Sequence, residues 1–306
     1  MSNELKTFNP ADIIKEKVDM KSYAESLLNA LRADTEVYDI IKPLGLTKGE
    51  VRENIGRLND FREDYNICKN CPGYDKCPKA EKHISIYVCK DGNYLTTRCE
   101  PCKKAIEKAM IDAKYIFNDF PSEWKKSTLK KLDLSENRRP LIKEFVNITK
   151  GKSNRWLFVT GNHKVGKSFV LVTFANVFIA MGLGQVGVIN AVTKFKELAD
   201  ISFKQKEYFN DQIKALSTLP LLIIDNFGEE YKNEFIRDSI VIPILSERNH
   251  NNLPTFFSSD FLIKEIERLY SVGKNGGEIR GKQLGKIILE MAEKEFDLTG
   301  ASIYKK

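Results

Sequence analysis

The chain contains no cysteine outside one short window. All six lie between Cys68 and Cys102. It has no apolar run long enough to span a bilayer, and its first residues, Met1 to Lys6, lack the apolar core of a signal peptide. Histidine occurs three times and tryptophan twice. These absences argue against a membrane-spanning protein and a disulfide-framed secreted domain, and the expectation is a cytoplasmic protein with no membrane partner. Thiols clustered this tightly inside a cell suggest metal ligands rather than disulfides. With 306 residues there is room for two or three domains and a sizeable core. A net charge of +7 is compatible with nucleic acid without requiring it.

Among the motifs, Gly161-Asn162-His163-Lys164-Val165-Gly166-Lys167-Ser168 reads G-x-x-x-x-G-K-S. That is the phosphate-binding P-loop. The apolar run Trp156 to Thr160 before it predicts a buried strand, and Phe169 to Ala180 after it, without Gly or Pro, predicts a helix. Gly161 and Gly166 let the backbone turn its N–H groups inward, and a helix N-terminus adds positive potential. Lys167 is expected to reach the β- and γ-phosphates of ATP, and Ser168 to ligate Mg²⁺. Downstream, Leu219 to Asn226 is a strand ending in an acid, the Walker B pattern, so that Asp225 would hold Mg²⁺ through water.

Residues 151–306 therefore read as one α/β domain with a mostly parallel sheet. Its further expected elements are a strand at Gln185–Asn190, helices at Val192–Leu198, Gln205–Leu216 and Asp238–Arg248, and a strand at Thr255–Asp260. Residues 1–65 look helical. Ile13, Ile14, Lys17 and Val18 begin one pattern, Ala24, Leu27, Leu28 and Leu31 continue it, and Val51, Ile55, Leu58 and Phe61 mark a second stretch over Glu50–Tyr65. Either a self-packed bundle or a partner-docking module fits these faces. Residues 106–150 read as a connector. A helix is expected over Lys103–Phe117 with Pro121 beyond its end, then a basic stretch from Lys125 to Arg139, then a helix from Leu141. The basic residues form a solvated face or contact phosphates.

Residues 66–105 read as a zinc module. The pairs Cys68-x-x-Cys71 and Cys99-x-x-Cys102 suit a tetrahedral site. Cys77, His83 and Cys89 leave the ligand set open.

The order of helical N-terminus, cysteine cluster, connector and P-loop domain resembles the DnaI/DnaC family of bacterial primosomal helicase loaders, which carry an AAA+ ATPase domain. The resemblance rests on Cys68-x-x-Cys71-Pro72, Gly161 to Ser168, Leu221 to Glu230, Arg237-Asp238 and Leu253 to Ser259, and it spans nearly the full chain. It implies an ATP-dependent loader that binds the hexameric replicative DNA helicase and delivers it to single-stranded DNA, working with other primosome proteins. It implies zinc ligands at Cys68, Cys71, His83 and Cys102, whereas spacing alone favours Cys99 in place of His83. It places Asp260, beside Lys167 and Asp225, among the catalytic residues, as the sensor that orients the attacking water.

Three positions depart from the family pattern. Asn226 stands where a second Asp is usual, Asp260 where Asn is usual, and Gly285 to Glu290 lacks the Arg that would act on a neighbouring subunit of a homo-oligomer. Weak ATP hydrolysis is therefore expected. Three other readings are the accessory ATPase of a transposition system, an ATP-binding switch with little hydrolysis, and a zinc-ribbon DNA binder with a nucleotide-sensing domain.

Overall fold

The computed structural model describes residues 19–92, 94–132, 135–274 and 276–300. The helical pattern expected at Ile13 to Val18 lies outside them. By its internal contacts the chain divides into two units, residues 1–110 and 111–306.

In the first unit, α1 (Met20–Ala33) starts at Asp19, whose side chain accepts from the Lys21 N–H. Next comes α2 (Thr35–Ile41), capped by Asp34. The amphipathic stretch expected over Glu50–Tyr65 is two helices, α3 (Lys48–Glu53) and α4 (Ile55–Lys69), parted at Asn54. A capping box between Thr47 and Glu50 starts the first of these. Leu31, Val37, Ile41, Leu58 and Phe61 form a small core with Leu95. Leu95 belongs to an antiparallel hairpin of β1 (Ile84–Asp91) and β2 (Tyr94–Pro101) within the cysteine segment. Polar ties fix the hairpin to the helices. Lys79 pairs with Asp64 at 2.5 Å, both nearly buried, and Asp64 also accepts from the Ile86 N–H.

The helix expected over Lys103–Phe117 ends early, as α5 (Lys103–Asp112). Tyr115 to Asn118 forms β3, an edge strand parallel to β5 (Val186–Asn190). Tyr115 and Phe117 are aromatic and suit a half-buried strand, and pairing with β5 overrides the helical spacing that reaches them.

The second unit continues with α6 (Arg139–Thr149), β4 (Leu157–Thr160) and α7 (Lys167–Ala180). After β5 come α8 (Ala191–Ser202), α9 (Lys206–Thr218) and β6 (Leu221–Asp225). A π-turn at Ile236–Val241 leads into α10 (Ile242–His250). Pro243 lacks the N–H that an unbroken α-helix would use, and the π-turn precedes it. Then follow β7 (Thr255–Ser258), α11 (Ile263–Leu269), α12 (Gly277–Ala292) and β8 (Glu295–Asp297). The six-stranded sheet runs β3-β5-β6-β7-β4-β8, and its strand pairs are parallel.

Strand alternation divides the core. Leu157, Val159, Leu221, Ile223 and Phe256 pack with α6 and α7 on one face. Phe158, Leu222, Ile224 and Phe257 pack with α8 to α12 on the other. Both faces are covered, as a parallel sheet requires. Among the described residues no helix is long and apolar enough to cross a membrane.

Candidate nucleotide site

The P-loop leaves the carboxyl end of β4 and enters α7. Gly161 and Gly166 have φ of 137° and 91°, which an L side chain resists. A Cβ on Gly161 would also stand 2.9 Å from the Thr299 backbone nitrogen. The loop is pinned from beneath by Arg138, which donates to the Val165 carbonyl at 2.8 Å, while the Val165 side chain is buried. Asn162, His163 and Lys164 form the exposed crown, and Ser168 is half-buried in the first turn of α7.

Lys167 is nearly buried, and its ammonium donates to the carbonyls of Gly161 (2.8 Å) and Asn162 (3.2 Å) and to Asp260 Oδ1 (2.5 Å). Asp260 follows β7, which lies between β4 and β6. That order brings Lys167, Asp225 and Asp260 to one end of three adjacent strands, where ligands bind in open α/β sheets. Asp225 accepts from the Ser258 hydroxyl, whose oxygen in turn accepts from the Asn226 N–H. Ser259 donates to the Phe227 carbonyl, and its N–H to that of Val159. These two serines tie β4, β6 and β7 together around the site. The sequence offered only their place at the end of an apolar run.

The two acids after Asn226 differ in environment. Glu230 is buried, accepting from the Gly228 N–H at 2.8 Å and from the Tyr270 hydroxyl. Glu229 lies in the field of the P-loop. Partial burial raises its pKa, Asp260 and Asp225 add to the rise, and Lys167 and His163 oppose it. A cavity of about 460 Å³ opens over Gly161, His163 and Asp260. Its far wall is Asp297 and Thr299, from β8 and the residues just beyond it, a contribution absent from the sequence-level site.

In the first unit, Cys68, Cys71 and Cys102 line one cavity of about 610 Å³. The Cys71 N–H bonds to the Cys68 carbonyl, and the Cys102 N–H to that of His83. The His83 ring stacks on Tyr74, with centroids 3.7 Å apart, and its Nδ1 is buried without a hydrogen-bond partner. Cys99 is exposed opposite Ile86 in the β1–β2 ladder and is not part of that cavity wall. Among the described residues no group of three His, Cys, Asp or Glu is gathered closely enough to hold a metal.

No family model matches the chain. Over an alignment of 293 residues it is 20% identical to the replicative helicase loader DnaI of Bacillus subtilis (strain 168), covering 90% of this chain and 91% of that protein. The chain resembles DnaI. A crystal structure of DnaI superposes with a TM-score of 0.54 at 23% identity, over 60% of this chain and 97% of the DnaI chain. A structure from Streptococcus pyogenes serotype M3, described as a candidate primosome component, superposes at 0.51 with 21% identity, over 65% of this chain and all of the other. These superpositions show that the α/β fold is shared. The sequence likeness to DnaI spans both units.

Proposed function

We propose that this chain is an ATP-dependent loader that binds a hexameric replicative DNA helicase and delivers it to single-stranded DNA with other primosome proteins. The observation that carries the reading is the likeness to DnaI along nearly the whole chain. Lys167, Asp225 and Asp260 at one end of the sheet are consistent with it. Bound nucleotide would lie on the P-loop N–H groups from Gly161 to Ser168, with Lys167 against its phosphates. Mg²⁺ would be held by the Ser168 hydroxyl and, through water, by Asp225; it supplies charge neutralisation at the phosphates. Asp260 or Glu229 would order a water there.

Hydrolysis is slow in this reading. Asn226 cannot take a proton, and Glu230 is engaged by Tyr270 and the Gly228 N–H. The same two observations favour a second reading, an ATP-binding switch with little turnover. We further propose a structural Zn²⁺ held by Cys68, Cys71, Cys102 and His83, whose side chains would have to close on it from the separated positions they hold in the structure. Three thiols and an imidazole are structural zinc donors, and the unpartnered His83 Nδ1 supports this set over one using Cys99. Co-purification with the host replicative helicase, with and without ATP, tests the loader. Failure to capture the helicase under either condition refutes it.

A further inference from the structure

In this structure the P-loop lysine already has an anionic partner. Asp260 Oδ1 lies 2.5 Å from Lys167 Nζ, whose two other contacts are loop carbonyls. A phosphate chain that enters must take the ammonium from Asp260 or share it. Asp260 and Asp225 both act on the Glu229 carboxyl, and Lys167 acts on it with the opposite sign, so these groups share one electrostatic neighbourhood. Lys167 thus has one carboxylate in contact, Asp260, with Glu229 and Asp225 in the same neighbourhood. A metal-free triphosphate would add further negative charge to an already acidic pocket. Repulsion between like charges a few ångströms apart in a partly wet site is enough to change affinity measurably.

We infer that Asp260 is a specificity-determining residue that makes nucleotide binding conditional on the divalent cation: it occupies Lys167 in the empty site and repels phosphates that arrive without metal. The inference rests on the nucleotide reading of the P-loop. It differs from a water-orienting role, which would alter turnover and leave the metal dependence of binding unchanged. The triphosphate should feel the effect more than the diphosphate, because it brings the additional charge of a γ-phosphate that Lys167 is expected to reach.

The test is equilibrium binding of ATP and ADP by calorimetry, each in excess Mg²⁺ and in EDTA, for the parent, Asp260→Asn and Asp225→Asn. Asp260→Asn should bind metal-free ATP about tenfold more tightly than the parent, equivalent to ~1.4 kcal/mol, with a smaller gain for ADP. Its Mg²⁺–ATP affinity should stay within roughly threefold. Asp225→Asn should instead weaken the Mg²⁺ complex, which separates loss of the Asp260 charge from loss of any nearby charge. If the amide variant does not fold, Asp260→Ser removes the same charge and is read identically. An unchanged ratio of EDTA to Mg²⁺ affinities, with the parent binding ATP normally, overturns the inference and leaves the nucleotide site standing. A parent that binds neither nucleotide with Mg²⁺ overturns both.

Discussion

Replacing Arg248 by Met tests how the α/β unit is held together beneath the candidate site. The Arg248 side chain is fully buried and pairs with no carboxylate among the described residues; its guanidinium donates to Thr255 Oγ1 (2.7 Å) and to the carbonyls of Leu216 (3.0 Å), Leu219 (2.8 Å) and Pro254 (2.6 Å). Leu216 lies in the last turn of α9 and Leu219 is its C-cap, so a cation closes the negative end of that helix. The next donor for Leu216 would be residue 220, a proline without an N–H. The Pro254 carbonyl keeps the Leu222 N–H, and Thr255 Oγ1 keeps the Leu253 carbonyl. The loss therefore falls on Leu216 and Leu219. Two buried acceptors left unpaired cost about 2–6 kcal/mol. Removing a buried charge returns part of this, leaving a net loss of about 2–4 kcal/mol out of a typical 5–15. Both tryptophans, Trp124 and Trp156, belong to this unit, so urea unfolding followed by their fluorescence reads it directly. The midpoint should fall by roughly 1–2 M urea. Arg248→Lys, with a charge but fewer donors, should fall between the two. A methionine variant within about 0.5 kcal/mol of the parent would refute the capping argument.

Three further outcomes are expected. Lys167→Ala should lose ATP binding by calorimetry while its melting profile matches the parent's; equal binding by variant and parent removes the P-loop assignment. Cys68→Ser combined with Cys71→Ser should strip zinc from the preparation, unfold the hairpin region and end helicase capture, yet spare ATP binding, because a module this small needs a metal staple; the parent's metal content by elemental analysis decides whether any zinc is there to lose. Hydrogen bonds from Lys90 and from Thr47 hold the Glu50 carboxyl down to about 2 from its ordinary 4.5. A lowered carboxyl pKa stabilises the fold above pH 4.5 and loses that effect as pH falls toward 2, so Glu50→Gln should melt more nearly alike across that window than the parent, and parallel melting curves for the two would contradict it.

The parts of this protein that its sequence determined are those whose chemistry is carried by consecutive residues. The P-loop needs glycines, Lys167 and a strand-to-helix transition within one short stretch, and β4 and α7 lie where that stretch predicts. Asp225 ends β6 because an acid closes an apolar run. The resemblance to DnaI-like proteins rests on such runs, among them Gly161 to Ser168 and Leu253 to Ser259, together with the cysteine segment that precedes the P-loop domain. Where local pattern and tertiary pairing compete, the pattern misleads. Ala113 and Phe117 continue a helical spacing, but Tyr115 to Asn118 pairs with β5. Spacing alone left the fourth partner of Cys68, Cys71 and Cys102 open between Cys99 and His83. The hairpin register sets Cys99 against Ile86, while Cys102 lines one cavity with Cys68 and Cys71.

Nor could the sequence distinguish the adjacent acids, of which Tyr270 buries and engages Glu230 while Glu229 faces the P-loop charges. The ion pair of Lys167 and Asp260 joins residues on different strand ends, and it forms only because β7 inserts between β4 and β6. A motif states which groups are available. Strand order and side-chain burial decide which of them share a field.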